Sequence, residues 1–225
     1  MSALIETKNL CRDFKVGDST IHALKDVCIS IKPKQLTILR GRSGSGKTTL
    51  INLLGAMDKP TSGDIFFEDK NITELSDYEH DELRRTQIGF VFQSGALLPN
   101  MTLYENVEFA LRVSKPKESE RSTRVNECLK LVGLSKRASH FPQELSGGEM
   151  QRAAIARALC HSPKIIFADE PTSALDTLTG LQVVKIFKDM VEAEGITIVM
   201  TTHDPNMLEI ADEVFTLQDG EIIDE

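Results

Sequence analysis

The sequence predicts an α/β fold: a parallel-sheet core assembled from both ends of the chain, with a helical segment inserted between them. Three observations carry this. Strand-sized apolar runs alternate with helical patterns at both ends of the chain, the rhythm of a parallel sheet with crossover helices. Residues from about 94 to 162 read mainly as helix. A glycine-rich stretch, residues 41–48, closes one buried run and opens a helix. The chain thus reads as one domain over 1–225, with 1–93 and 163–225 as the core and 94–162 as the helical part.

The elements run in order along the chain. The first 40 residues read as strands. Val27, Ile29 and Ile31 alternate with polar or small residues, the period-two pattern of a half-buried strand. Residues 36–39 form a short apolar run ending near Gly41, suited to a buried strand, and a helix follows from Lys47 to about Ala56. Residues 65–67 and 88–92 read as further strands. Between them the charged stretch 77–85 is helical, with Ser76 as its cap. Thr102 and Glu105 form a capping box that opens a helix through about Arg112. The most linker-like stretch is 114–122, charged and containing Pro116. A helix from about Glu120 to Val132 ends at Gly133. Ser146 and Glu149 make a second capping box, for a helix reaching about Cys160, and Pro163 bars its continuation. Strand signals return at 165–168. A long helix follows Asp176 and ends at Gly195, and 196–200 is the next buried strand. Asp204 and Pro205 read as an N-cap and first helical position. Residues 214–217 and 221–223, joined at Asp219-Gly220, read as a hairpin.

Composition narrows the function. The 225 residues hold 26 Lys+Arg against 34 Asp+Glu, a formal net charge of -8, which argues against a protein that coats nucleic acid through clustered positive charge. With 40% hydrophobic and 27% charged residues the chain is a folded, not a disordered, sequence. No run approaches the roughly 18 apolar residues that span a bilayer. Glu6 precedes any long apolar run, so the start is no signal peptide. The cysteines at 11, 28, 128 and 160 fit no zinc spacing and read as reduced thiols.

Gly41-Arg42-Ser43-Gly44-Ser45-Gly46-Lys47-Thr48 fits G-x-x-x-x-G-K-[ST]. Its glycines let backbone N–H groups turn inward around phosphates, and the following helix presents its positive end to them. Lys47 is expected at the β- and γ-phosphates and the Thr48 hydroxyl on Mg²⁺. Thr49 can bond the α-phosphate. The competing reading is a Gly/Ser-rich turn with an incidental lysine; the preceding strand and following helix argue against it. Residues 165–168 form an apolar strand that ends in Asp169 and Glu170, a site for a metal-holding carboxylate and a general base beside it. Gln93 and His203 also follow strands. A neutral amide at 93 can approach Mg²⁺ or water without adding charge, and an imidazole at 203 can touch the γ-phosphate. Taken singly, either residue is more often a surface or capping group.

Leu145-Ser146-Gly147-Gly148-Glu149 makes a second anion-binding helix start, about 100 residues after the first. One ATP needs only one phosphate loop. Two such starts are most economically explained by two chains facing head to tail, each completing the other's site.

With the phosphate loop, Gln93, Leu-Ser-Gly-Gly-Glu, Asp169-Glu170, Ser173-Ala174-Leu175-Asp176 and His203 in order, the whole chain resembles the nucleotide-binding subunit of ABC transporters. The resemblance implies a P-loop NTPase core with a parallel sheet, an N-terminal antiparallel β subdomain and an inserted helical subdomain. It implies an Mg-dependent ATPase with ATP and Mg²⁺ as cofactors and Thr48, Gln93 and Asp169 at the metal. It implies that Gly41, Ser43, Gly44, Ser45, Gly46, Lys47, Thr48 and Thr49 hold the nucleotide. Ser146, Gly147, Gly148 and Glu149 of the opposite chain would close on it, with Asp176 in the loop crossing the interface. Phe14 matches the aromatic that stacks on adenine; the position is usually tyrosine, and phenylalanine keeps the π face but loses the hydroxyl. Glu170, His203, Gln93 and Lys47 are the expected catalytic set. Two departures are Met150, where glutamine is common, and Arg42, where proline is frequent.

The stretch Ile88 to Gln93, with Leu97-Leu98-Pro99-Asn100-Met101-Thr102 and Glu105-Asn106-Val107, is similar to the lipoprotein-release, macrolide-efflux, bacitracin-resistance and cell-division group. That group implies a homodimer, a separate integral membrane permease, room for a periplasmic or extracellular adaptor, and a cytoplasmic location on the inner face of the membrane. It leaves open a chain continued by a fused permease after Glu225. Two functions compete with export. One is a regulatory switch that signals across the membrane without transport. The other is an ATPase acting on nucleic acid, disfavoured by the acidic balance and by the short span of about 50 residues between Gln93 and Ser146.

Overall fold

A computed structural model describes residues 2–115 and 117–223. The predicted α/β class holds, arranged as two sheets with helices between and outside them.

The N-terminal sheet is antiparallel. β1 (Ile5–Val16) pairs with β2 (Ser19–Val27), β3 (Ser30–Ile31) and β5 (Ser62–Phe67), and β6 (Lys70–Asn71) extends the edge beyond β5. The one strand expected across Val27–Ile31 is in fact two. Val27 ends β2, Ser30 opens β3, and Cys28–Ile29 between them have no strand pairing. The period-two pattern reported burial correctly, since Val27, Ile29 and Ile31 are all buried. Asp26, at φ 48, lies inside β2 where its register against β1 shifts between Leu10 and Arg12.

The second sheet runs β11 (Glu221–Ile223), β10 (Glu213–Gln218), β4 (Leu36–Arg40), β9 (Thr197–Thr202), β8 (Ile165–Ala168), β7 (Ile88–Val91). Every pair in it is parallel except the terminal hairpin of β10 and β11. Its central strands are covered on both faces, which is why they read as unbroken apolar runs. Ile165 and Phe167 enter one core; Ile166 and Ala168 enter the other. The first core lies against α1 (Lys47–Leu54) and the antiparallel sheet. The second lies under α3 (Leu103–Val113), α4 (Glu118–Leu131), α5 (Gly147–Leu159) and α6 (Thr177–Glu194). α2 (Asp77–Thr86) packs at the β7 edge.

The two expected capping boxes form, and Ser76, expected as a cap, completes a third with Glu79. Ser76, Thr102 and Ser146 each accept from the backbone N–H three residues on, and Glu79, Glu105 and Glu149 reach back. One further expectation is corrected. The linker-like stretch 114–122 is largely helix, because α4 already begins at Glu118; Glu118 and Glu120 in its first turn suit the positive end of the helix, and Pro116 lies outside the described residues. Asp204 is the N-cap and Pro205 follows at the helix start as expected, and the helix they open is a 3-10 turn over Pro205–Ile210, with Asp204 accepting from the N–H of Asn206. Among the described residues no helix is long and apolar enough to cross a membrane.

Candidate active site

Four neighbouring strands, β4, β9, β8 and β7, are parallel, so their carboxyl ends emerge along one edge of the sheet. Such edges are where open α/β sheets bind ligands. The residues that follow these ends are the phosphate loop, His203, Asp169 with Glu170, and Gln93. The sheet order alone therefore gathers residues more than 160 positions apart.

The loop from Gly41 wraps the start of α1. Gly46, the residue before the helix, sits at φ 105, and a Cβ there would lie 2.5 Å from the Ala23 carbonyl oxygen of β2. Only glycine suits both demands. The buried Lys47 ammonium donates to the carbonyls of Gly41 at 2.8 Å and Arg42 at 3.0 Å, and lies 3.8 Å from Glu170 Oε1. A cleft of about 440 Å³ opens in front of it, lined by Ser43, Gly44, Gly46, Lys47, Thr48, Thr49 and Glu170, with β2 on the far side. Among the described residues the buried Ser45 hydroxyl has no hydrogen-bond partner.

Thr48 Oγ1 donates to Asp169 Oδ2 at 2.9 Å. Thr201 Oγ1 donates to Asp169 Oδ1 at 2.8 Å and accepts from the Glu170 N–H at 2.7 Å. Glu170 itself has φ 42, a backbone region that costs a non-glycine residue energy. Its carboxylate lies 3.7 Å from His203 Nδ1. The Gln93 amide donates to Ser173 Oγ at 3.0 Å, and Ser173 Oγ donates to the Glu170 carbonyl at 3.0 Å. Gln93 is thus tied to the same turn as Glu170.

The donors beside Lys47 are a hydroxyl and a carboxylate, hard oxygen ligands of the kind Mg²⁺ takes. Among the described residues no group of three or more His, Cys, Asp or Glu forms a self-sufficient metal site. This fits Mg²⁺, which usually takes one or two carboxylates and completes its shell with substrate phosphates and water.

The second helix start lies apart. Ser146, Gly147, Gly148 and Glu149 are absent from the cleft in front of the phosphate loop. Gly147 and Gly148 lie instead against the segment that opens α6. A Cβ on Gly148 would lie 2.5 Å from Thr179 Cγ2, and one on Gly147 would meet Leu175 Cδ2 at 3.5 Å. Asp176 caps α6 through both oxygens, to Thr179 N at 3.1 Å and Thr179 Oγ1 at 2.6 Å, and these bonds hold its carboxyl below the usual range. Glu149 accepts from Ser146 N and Oγ and from Arg137 Nε, and its carboxyl is likewise held low, chiefly by the Ser146 N–H.

Phe14 does not line the cleft either, but its cross-strand partner Ile21 does. Phe14 is 38% exposed.

The family described as "ABC transporter" matches residues 24–173, two thirds of the chain. The chain belongs to the ABC transporter family. It is an ATP-binding cassette, the ATPase of that family. The cassette is 43% identical over 224 residues to the uncharacterised ABC transporter ATP-binding protein MJ0796 of Methanocaldococcus jannaschii, covering 97% of this chain and 95% of that protein. It is 41% identical to the macrolide export ATP-binding/permease protein MacB of Mannheimia succiniciproducens, covering 99% of this chain but 34% of that longer protein. It superimposes with a TM-score of 0.90, at 41% identity and over 98% of this chain and 97% of the other, on a dimeric structure of MJ0796 in a post-hydrolysis state bound to ADP and Pi.

Sequence reasoning missed three contributors to the site: Thr201, Ser173 as a bridge, and the β2 wall with Asp219 and Gly220 that faces the loop. Thr201 carried a signal. It comes directly after the apolar run 196–200, so it stands at a strand's carboxyl end like the residues that were found.

Proposed function

We propose that this cassette is the motor of an exporter. Two copies close head to tail on two ATP molecules, and closure drives a separate membrane permease. The observation that carries this is the separation of the two anion-binding helix starts. One chain builds a phosphate cradle around Lys47 and, elsewhere, an exposed helix start at Ser146 that shares no cleft with it.

In this reading Lys47 and the α1 start hold the β- and γ-phosphates, and Ser146, Gly147 and Gly148 of the second copy close over the γ-phosphate. Thr48, Asp169 and Gln93 would hold Mg²⁺, which would supply positive charge against the phosphates. Glu170 takes a proton from the attacking water, whose oxygen bonds to the γ-phosphorus as the bond to ADP breaks. His203, within 3.7 Å of the same carboxylate, orients that water. Gln93, tied through Ser173 to the Glu170 turn, passes the change to the helical segment that follows it, where the permease docks. The chain then works at the inner face of the cell membrane. The dimer of MJ0796 favours the paired arrangement, and the macrolide export relatives, with an ATP-binding part and a permease under one name, favour export.

The test is Glu170→Gln. It is expected to bind ATP, lose turnover by about 10²–10⁴-fold and accumulate as a dimer on size-exclusion chromatography. Full ATPase activity in this variant overturns the base assignment.

A further inference from the structure

The Arg12 guanidinium lies over the Phe14 ring, 4.6 Å from its centroid. It is held there by a two-point ion pair, with Nε 2.9 Å from Asp58 Oδ2 and Nη2 2.8 Å from Asp58 Oδ1. Both side chains are well packed, 23% and 31% exposed. Asp58 belongs to the turn that ends α1, where its N–H bonds the Asn52 carbonyl. The pair therefore ties the strand carrying Phe14 to the far end of the helix whose first residue is Lys47.

We propose that Arg12, clamped by Asp58, is a positioning residue for the nucleobase: it covers one face of Phe14, orients the ring and polarises it for stacking on its other face. This rests on the reading that Phe14 stacks on the base. A cation over one face draws π density towards itself and leaves the opposite face poorer in electrons, which favours an electron-rich purine there. The clamp also compensates for a phenylalanine that has no hydroxyl with which to anchor itself. An ordinary surface ion pair would not need a two-point fork aligned over an aromatic ring.

The strand does not depend on this pair alone. Asp13 N donates to Thr61 Oγ1 at 2.9 Å and Thr61 N donates to the Cys11 carbonyl at 2.9 Å, so Arg12→Met should fold with β1 in place.

The experiment measures ADP and pyrophosphate affinities by competition against a fluorescent ADP analogue, for wild type, Arg12→Met, Phe14→Leu and the double variant. Arg12→Met is expected to weaken ADP about two- to fivefold and leave pyrophosphate unchanged, with no further loss when Phe14 is already leucine. Arg12→Lys, which keeps a cation without the fork, should fall between. Equal losses for ADP and pyrophosphate, no loss at all, or the same ADP loss in the Phe14→Leu background overturns the proposal. If Phe14→Leu alone leaves ADP binding intact, the base-stacking reading of Phe14 fails, and with it this proposal. If ADP does not bind wild type, it is the nucleotide reading of the cleft that fails.

Discussion

Thr48 Oγ1 and Asp169 Oδ2 stand 2.9 Å apart, joining the first turn of α1 to the end of β8 across 121 residues of sequence. The contact brings together two oxygen groups that would hold a divalent cation beside the phosphate loop. It exists because β4, which leads into the phosphate loop, and β8 lie on either side of β9.

Thr48→Val and Asp169→Asn should each abolish the Mg²⁺ dependence of ATP binding and cut hydrolysis by at least about 10²-fold. Titrating Mg²⁺ at fixed ATP checks this. A variant whose turnover still rises with Mg²⁺ as wild type does would remove the residue from the metal site.

Thr201→Val tests the residue that sequence reading passed over. It removes the donor to Asp169 and the acceptor of the Glu170 N–H together, so a backbone group and a carboxylate oxygen lose a partner. The expected result is a loss of about 1–3 kcal/mol in stability by urea denaturation and a lower kcat with little change in KM.

The features legible in the sequence and the features hidden from it have physical causes. Burial was legible throughout, since Val27, Ile29 and Ile31 are inside although the strand breaks between them. Strand pairing was not, because neither the register shift of β2 at the positive-φ residue Asp26 nor the break at Cys28–Ile29 leaves a mark in the apolar pattern. Lys47 and Asp169 were legible because glycine spacing and a run ending in acids are local signals. The Ser173 bridge from Gln93 to Glu170 was hidden, since it joins loops 80 residues apart. The 3-10 turn after Asp204 shows that cap chemistry locates a helical start without fixing the kind of helix it opens.

Two thiols make a pH prediction. Burial pushes Cys128 up to about 11 and Cys160 up to about 12, both from a usual value of 9.0. Well below pH 9 the thiols are neutral folded and unfolded alike, so they leave stability unchanged. Above it the unfolded chain ionises them first, and stability falls as pH rises towards the folded values. Melting temperature should therefore drop by several degrees, on the order of 5 °C, between pH 9 and 11, and less in Cys128→Ala/Cys160→Ala. Under native conditions at pH 7.5 a maleimide should label the exposed Cys28 and spare Cys128 and Cys160.

Ser146→Ala removes an N-cap whose oxygen accepts from Glu149 N. It should cost about 1 kcal/mol in stability and weaken ATP-dependent association more than ATP binding itself. Thermal melts and sedimentation with and without ATP separate the two effects.

The most direct test of the paired-site account mixes two chains that each carry Glu170→Gln. One also carries Lys47→Ala, which breaks the cradle. The other carries Gly147→Asp, which sets a negative charge at the exposed start of α5, where a Cβ has room. Bound ATP per dimer is measured after size-exclusion chromatography. Neither chain alone should hold ATP in a stable dimer. The mixture should form dimers with one ATP per pair, because the intact cradle of one chain meets the intact helix start of the other. If the mixture stays monomeric, or if the Gly147→Asp chain alone dimerises with two ATP, the two helix starts do not share a nucleotide and the account is wrong.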